Sequence, residues 1–250
     1  MMKCAGLFVL LLLNWLSPVA QDGIKNSGRI HSKGNTMKVQ QILEGITNPP
    51  LDLITETLES EITPLKLEQV NWEEFPYQPE VSVQIAYNES ELFLRYCVTE
   101  QAVKAVVTEN NGRVWTDSCV EFFLSPEGND VYYNLEVNCI GTALLGFRKK
   151  GDPTIHASDE VLASIRRISS LGSKSFPEKK GPVSWEITIA IPWSAFFKHD
   201  LKPVGGKKMR GNFYKCGDEL SVPHFVSWTR IKTESPAFHV PEFFGGLEFE

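Results

Sequence analysis

From Val81 onward the chain alternates. In "VSVQIAY", Val81, Val83, Ile85 and Tyr87 are separated by Ser82, Gln84 and Ala86, and in "LFLRYCV", Leu92, Leu94, Tyr96 and Val98 share one side. A period of two in both runs, with a short polar break between them, predicts a β-hairpin. The break, Asn88-Glu89-Ser90, also matches a glycosylation acceptor, but a turn accounts for it. "CVEFFLS" continues the pattern with Val120, Phe122 and Leu124 on one face. In "YYNLEVNCIGTALLGF", Tyr133, Leu135, Val137 and Cys139 oppose Tyr132, Asn134, Glu136 and Asn138. "ASIRRISSL", "SWEITIAIPW", "GNFYKC", "HFVSWTRI" and "GGLEFE" supply further strands. Pro192 ends one of them and opens a helical turn at "PWSAFF". Many short strands joined by Gly/Lys/Pro turns, with little helix, predict an all-β fold. The expected architecture is an antiparallel β-sandwich of the jelly-roll or immunoglobulin-like kind over residues 65–250.

Before residue 65 the period changes. Val39, Ile42, Leu43 and Ile46 are spaced for one helical face that "NPP" closes, and Leu51, Ile54 and Leu58 predict a second short helix. Residues 21–64 therefore read as a polar leader followed by a short helical N-terminal extension. Residues 1–20 differ again. Lys3 precedes "AGLFVLLLL", and a small residue follows at Ala20. That is the pattern of a signal peptide, and its apolar run is too short to span a bilayer. The expectation is an exported, secreted protein: periplasmic, at the cell surface or extracellular, with no membrane span.

Charge narrows the partners. The 250-residue chain carries a formal net charge of −6, which argues against nucleic acid, since phosphate recognition needs a basic surface. An uncharged ligand fits better. Beyond residue 20 lie Cys97, Cys119, Cys139 and Cys216. An even count in an exported chain allows two disulfides in any of three pairings, and buried free thiols fit the strand-like settings equally well. None of the four has the C-x-x-C spacing of a zinc site. No nucleophile-elbow, H-E-x-x-H or phosphate-loop motif occurs.

The stretch "RVWTDSCVEFFLSPEG" sets an indole and two acids at the head of an apolar strand. Trp115 with Trp228 could clamp a sugar ring, because aromatic faces bury its C–H face while acids and amides bind its hydroxyl rim. Both could equally be core tryptophans. Trp115 and Glu121 share strand parity, but six straight residues would separate them by about 20 Å. A common site therefore requires "TDS" to turn and fold Trp115 back. Glu121 with Asn134, Glu136 and Asn138 forms a polar row suited to hydroxyls, or a solvated outer face. Arg210 and Asn212 share one side of a later strand, where Arg210 could meet hydroxyls or pair with an acid. Two rival readings remain. Asp117 and Glu121 could serve as the carboxylate pair of a glycoside hydrolase or lyase, or Met209 with His239 or His224 could ligate a haem in a structural sandwich.

Taken in order, "VWTDSCVEFFLSP", "YYNLEVNCIGTALLGF", "SWEITIAIPWSAF", "RGNFYKC", "HFVSWTRI" and "FHVPEFFGGLEF" resemble the family 9 carbohydrate-binding modules over residues 65–250. The resemblance implies a non-catalytic β-sandwich that binds a mono- or oligosaccharide, in the best-known cases at chain ends, and that is often appended to a xylanase. By it, Trp115 and Trp228 match the stacking tryptophans and Glu121 the acid between them. Phe225 stands where the pattern expects asparagine. Arg210 and Asn212 match a distant branch of the family. No cofactor is required. Structural calcium occurs in some members, for which Asp117, Glu127 and Asp130 are the candidate donors here.

Overall fold

The computed structural model describes residues 35–128 and 130–250. The expected signal segment and nearly all of the leader lie outside them. Strand β1 (Thr36–Gln41) is followed by helix α1 (Leu51–Glu61), the short strands β2 (Leu65–Lys66) and β3 (Gln69–Val70), and the hairpin β4 (Glu80–Tyr87) and β5 (Glu91–Ala105). Next come β6 (Cys119–Ser125), β7 (Val131–Asn138), β8 (Ala143–Lys149), β9 (Ile155–His156), α2 (Asp159–Ser164), β10 (Arg166–Ser169) and β11 (Phe176–Pro192). The series closes with β12 (Lys208–Cys216), β13 (Phe225–Ser227) and β14 (Gly245–Phe249).

These strands form two facing layers. One runs β10-β11-β5-β4, and the other β14-β12-β6-β7-β8-β9. The alternation seen in the sequence is the alternation of the core. Val83, Ile85, Leu92, Leu94, Tyr96, Ile187 and Ile189 from the first layer meet Val120, Phe122, Leu124, Leu135, Val137 and Phe213 from the second. Burying each such side chain contributes roughly 1.5–3 kcal/mol. The Tyr96 hydroxyl crosses between the layers and donates to the Glu121 carbonyl at 2.7 Å.

The hairpin turn at Asn88 is side-chain made. Its Oδ1 accepts from the Ser90 and Glu91 amides, each at 2.9 Å, and its Nδ2 donates to the Ile46 carbonyl. Asn88 is fully buried, so this acceptor sequence serves as a turn.

Residues 39–46 differ from the expected helix. Thr36–Val39 pair in parallel with Gly246–Phe249 of β14, and Gln40 and Gln41 pair in parallel with Ala86 and Tyr87 of β4. The strand thus belongs to the sandwich and joins both layers. Positive φ values at Leu43, Gly45 and Asn48 (51°, 71° and 50°) bend the chain in a way no helix permits. The second expected helix is α1. Its Ile54, Leu58 and Ile62 pack on Ala86, Phe93 and Ala190 of the first layer. Gln84 caps it by donating to the Leu58 and Ile62 carbonyls.

The outer side of the second layer is not bare. Trp72, Val114, Ile231, Phe238 and Phe244 from three loops cover Cys119, Phe123, Tyr132, Tyr214 and Cys216. Of the two readings of the polar row, the solvated outer face is therefore not met, since the row lies beneath a roof.

Candidate functional site

A cleft of about 320 Å³ opens through that roof, and its wall and floor include Trp115, Glu121, Glu136, Arg148, Asp218 and Phe225. Glu121 and Glu136 are opposed residues of β6 and β7, and both are buried in the floor. Trp115 reaches the same cleft because Val114–Thr116 form a single 3₁₀ turn that brings the indole back over β6. Asp117 fixes this turn. Its Oδ2 accepts from the Val106 and Val107 amides at 2.9 and 2.8 Å and from Asn138 Nδ2 at 3.0 Å, and its other oxygen faces the Lys104 ammonium at 4.0 Å. The Arg113 guanidinium lies 5.8 Å from the half-buried Trp115 ring.

Burial governs the electrostatics of the floor. It pushes Glu136 up to about 7 and Asp218 up to about 6. It drives Glu121 well above the usual carboxylate range, with repulsion from Glu136 adding to the effect. Asn134 donates to Glu136 Oε1 at 2.8 Å and receives the Arg148 Nε–H at 3.2 Å. The other Glu136 oxygen, Oε2, is buried with no hydrogen-bond partner. An unpartnered buried acceptor is costly and marks a place where a ligand donor would be accommodated.

The structure sorts the sequence candidates. Trp115, Glu121 and Glu136 meet at the cleft, with Asn134 bonded behind Glu136. Trp228 does not. It is 6% exposed in the core, its ring 5.6 Å from that of Phe213 and pressed against Gly245, where a Cβ would come within 2.6 Å of the indole. The two-tryptophan clamp is therefore excluded, and Phe225, not Trp228, supplies the second aromatic of the cleft. Asn138 is consumed by Asp117, Val107 and the turn after β7. Arg210 donates to the Glu242 and Phe244 carbonyls. Asn212 Oδ1 accepts from the Thr229 amide at 3.1 Å. These three hold the roof in place.

Neither rival reading finds its residues together. Asp117 is fully buried, absent from the cleft lining, and committed to backbone amides. Met209 belongs to the inter-layer core, whereas the His239 ring stacks on Phe123 on the opposite side of the second layer. His224 is engaged by Lys215. Nor do the calcium donors gather. Asp117 precedes β6, whereas Glu127 and Asp130 follow it, and a seven-residue strand spans roughly 20 Å.

One buried charge cluster had no signal in the alternation. Lys215 of β12 points inward and reaches Glu100 of β5 at 2.8 Å, both with fully buried side chains. The ammonium also donates to the Cys216 carbonyl at 2.8 Å and to His224 Nε2 at 2.7 Å. Trp185 Nε1 donates to Glu100 Oε1 at 2.7 Å. The cluster ties the layers together behind the cleft floor.

All four described cysteines are free thiols, three of them buried. A larger, more open hollow of about 670 Å³ lies over β4, β5 and β11, with Ser82, Thr99, Ser184 and Glu186 in its lining, but no buried unpartnered acceptor marks it. Among the described residues no helix is long and apolar enough to cross a membrane.

Two layers with a recessed, acid-floored and aromatic-walled cleft place the chain in the class of β-sandwich modules. The family described as carbohydrate-binding family 9 matches residues 53–249, and the chain belongs to that family. A structure from Bacteroides uniformis, described as a candidate carbohydrate-binding protein, is 46% identical, covering 87% of this chain and all of its own, with a TM-score of 0.84. Two structures of a family 9 module from Caldicellulosiruptor kristjanssonii, in complex with glucose and with cellotriose, share the fold at 11% identity. Their TM-scores are 0.55 and 0.54, with 86% of this chain covered in each case and 96% and 94% of theirs. No curated protein matches the chain.

Proposed function

We propose that this chain is a non-catalytic module that binds a short carbohydrate in the cleft over β6 and β7. The observation that carries the reading is the half-buried Trp115 ring beside two buried carboxyl groups, one of which has an unpartnered oxygen. Trp115 offers a face to the C–H side of a pyranose, with Phe225 on the wall. Glu121, Glu136, Asp218 and Arg148 offer acceptors and donors to the hydroxyl rim. The volume lies at the small end of ligand sites, which run from about 300 to 1,000 Å³, and suits the end of a sugar chain better than its middle. Membership of a family of binding modules supports the non-catalytic part. The apolar N-terminal pattern supports export. The complexes of the Caldicellulosiruptor module make glucose and cello-oligosaccharides the first ligands to test.

The test is a titration of glucose, cellobiose and cellotriose followed by tryptophan fluorescence, on wild type and Trp115→Ala. A stacked indole contributes about 1 kcal/mol or more, so the variant should bind at least several-fold more weakly. Equal affinity in a folded Trp115→Ala protein, or silence from wild type across a wider sugar panel, would remove the cleft from consideration.

A further inference from the structure

Beneath the cleft lies a donor set of which the proposed sugar site uses only Glu121. Cys119 and Cys216 are opposed residues on β6 and β12, and Glu121 follows two positions along on the same face. Their ligating atoms lie within 4.8 Å of one another, and all three residues are buried. The Cys216 thiol donates to Glu121 Oε1 at 3.1 Å. A tetrahedral ion with metal–sulfur bonds of about 2.3 Å and a metal–oxygen bond of about 2.1 Å requires sulfur–sulfur and sulfur–oxygen spans of roughly 3.5–3.8 Å. The 3.1 Å Cys216–Glu121 contact and the 4.8 Å ceiling on all three spans bracket that range. Glu121 and Cys216 both line the cleft, which gives an ion an entry path and leaves the fourth position open.

We propose that Cys119, Glu121 and Cys216 form a binding site for a thiophilic divalent cation of the Zn²⁺ type, with its fourth position facing the cleft. Thiolate sulfur with one carboxylate oxygen is a donor set for zinc, and not for calcium or magnesium, which take oxygen alone. On binding, both S–H bonds break and two metal–sulfur bonds form. The two thiol protons, with the carboxyl proton that burial favours on Glu121, leave to the buffer, and no oxidant or reductant takes part. The site is independent of the sugar reading, because it is measured with no sugar present.

The experiment uses the full chain, reduced with a phosphine and stripped of metal, and titrated with Co²⁺ as a spectroscopic probe. The expected result is one ion per chain, with a thiolate-to-cobalt charge-transfer band in the near ultraviolet and strong visible bands of tetrahedral coordination. Added Zn²⁺ should bleach both. Cys119→Ser and Cys216→Ser should lose the charge-transfer intensity, while Cys97→Ser and Cys139→Ser keep it. Glu121→Gln should weaken binding by on the order of tenfold or more. A second reading guards against misfolded variants: Zn²⁺ should raise the melting temperature of reduced wild type and not that of Cys119→Ser. No cobalt spectrum in the reduced wild type would overturn the proposal, and so would a spectrum that survives loss of both Cys119 and Cys216.

Discussion

Trp115 and Trp228 carry the same cue in the sequence, an indole near the head or tail of a strand, and they meet opposite fates. A clamp for Asp117 and a 3₁₀ turn hold Trp115 at the cleft, whereas Gly245 and Phe213 make a slot for Trp228 inside the core. The two variants should therefore separate. Trp228→Ala should cost about 3–5 kcal/mol of stability, the usual range for emptying a large aromatic from a core. Urea unfolding would measure it, and the folded fraction should bind sugar with wild-type affinity. A stability loss below about 1 kcal/mol would show that the core closes over the gap. The position of Trp115 was legible only conditionally, since strand parity and length made a turn at "TDS" the requirement for a site shared with Glu121. The role of Asp117 was not. An acid beside an indole reads as ligand chemistry until two backbone amides are found pointing at it. Lys215 and Glu100 were hidden for another reason: each is one charged residue at an inward position of an otherwise apolar run, and only the partner strand shows that the two meet.

At the level of elements, period-two alternation predicted β4, β5, β6, β7, β11 and β12, along with the faces they bury. It failed for β1, because four apolar residues between 39 and 46 happen to fit a helical spacing and the true partners are parallel strands far along the chain. It also put Asn134, Glu136 and Asn138 on one face but left open whether that face bound hydroxyls or met solvent, since nothing local in a strand announces the loops that cover it. Close packing between elements gives a direct test at Gly211. A Cβ there would come within 2.6 Å of the Phe123 carbonyl of β6 and 2.9 Å of Leu247 of β14. Gly211→Ala should cost about 1–3 kcal/mol through overpacking, read by thermal or urea unfolding. An unchanged midpoint would mean that the strands part more freely than this contact allows.

For the whole molecule, the cluster between the layers couples stability to pH. Burial, with the neighbouring Lys215 ammonium, lowers His224 to about 2, and Glu100 and the edge of the Tyr77 ring are its other neighbours. In the unfolded chain His224 would take a proton near pH 6.5, its ordinary value, while the folded chain keeps it neutral far below that. Protons then favour unfolding, so this contribution is complete above about pH 6.5 and shrinks steadily as pH falls. Glu121, Glu136 and Asp218, raised by burial, act in the opposite sense over the same range, because the folded chain holds their protons where the unfolded chain would release them. The His224 contribution is therefore read as a difference between wild type and a variant that lacks the imidazole. Between about pH 7 and pH 5 the melting temperature of wild type should fall relative to that of His224→Gln, which keeps an acceptor for Lys215, and a constant difference would place the sensitivity elsewhere. The pairing of β1 with β14 has a consequence for biosynthesis. Thr36 meets Gly246, so the strand first to leave the ribosome among those described must wait for the last before its main ladder can form. Contacts separated by most of a chain are slow to close. The nascent protein therefore carries an open seam between its layers until Gly245–Phe249 has left the ribosome.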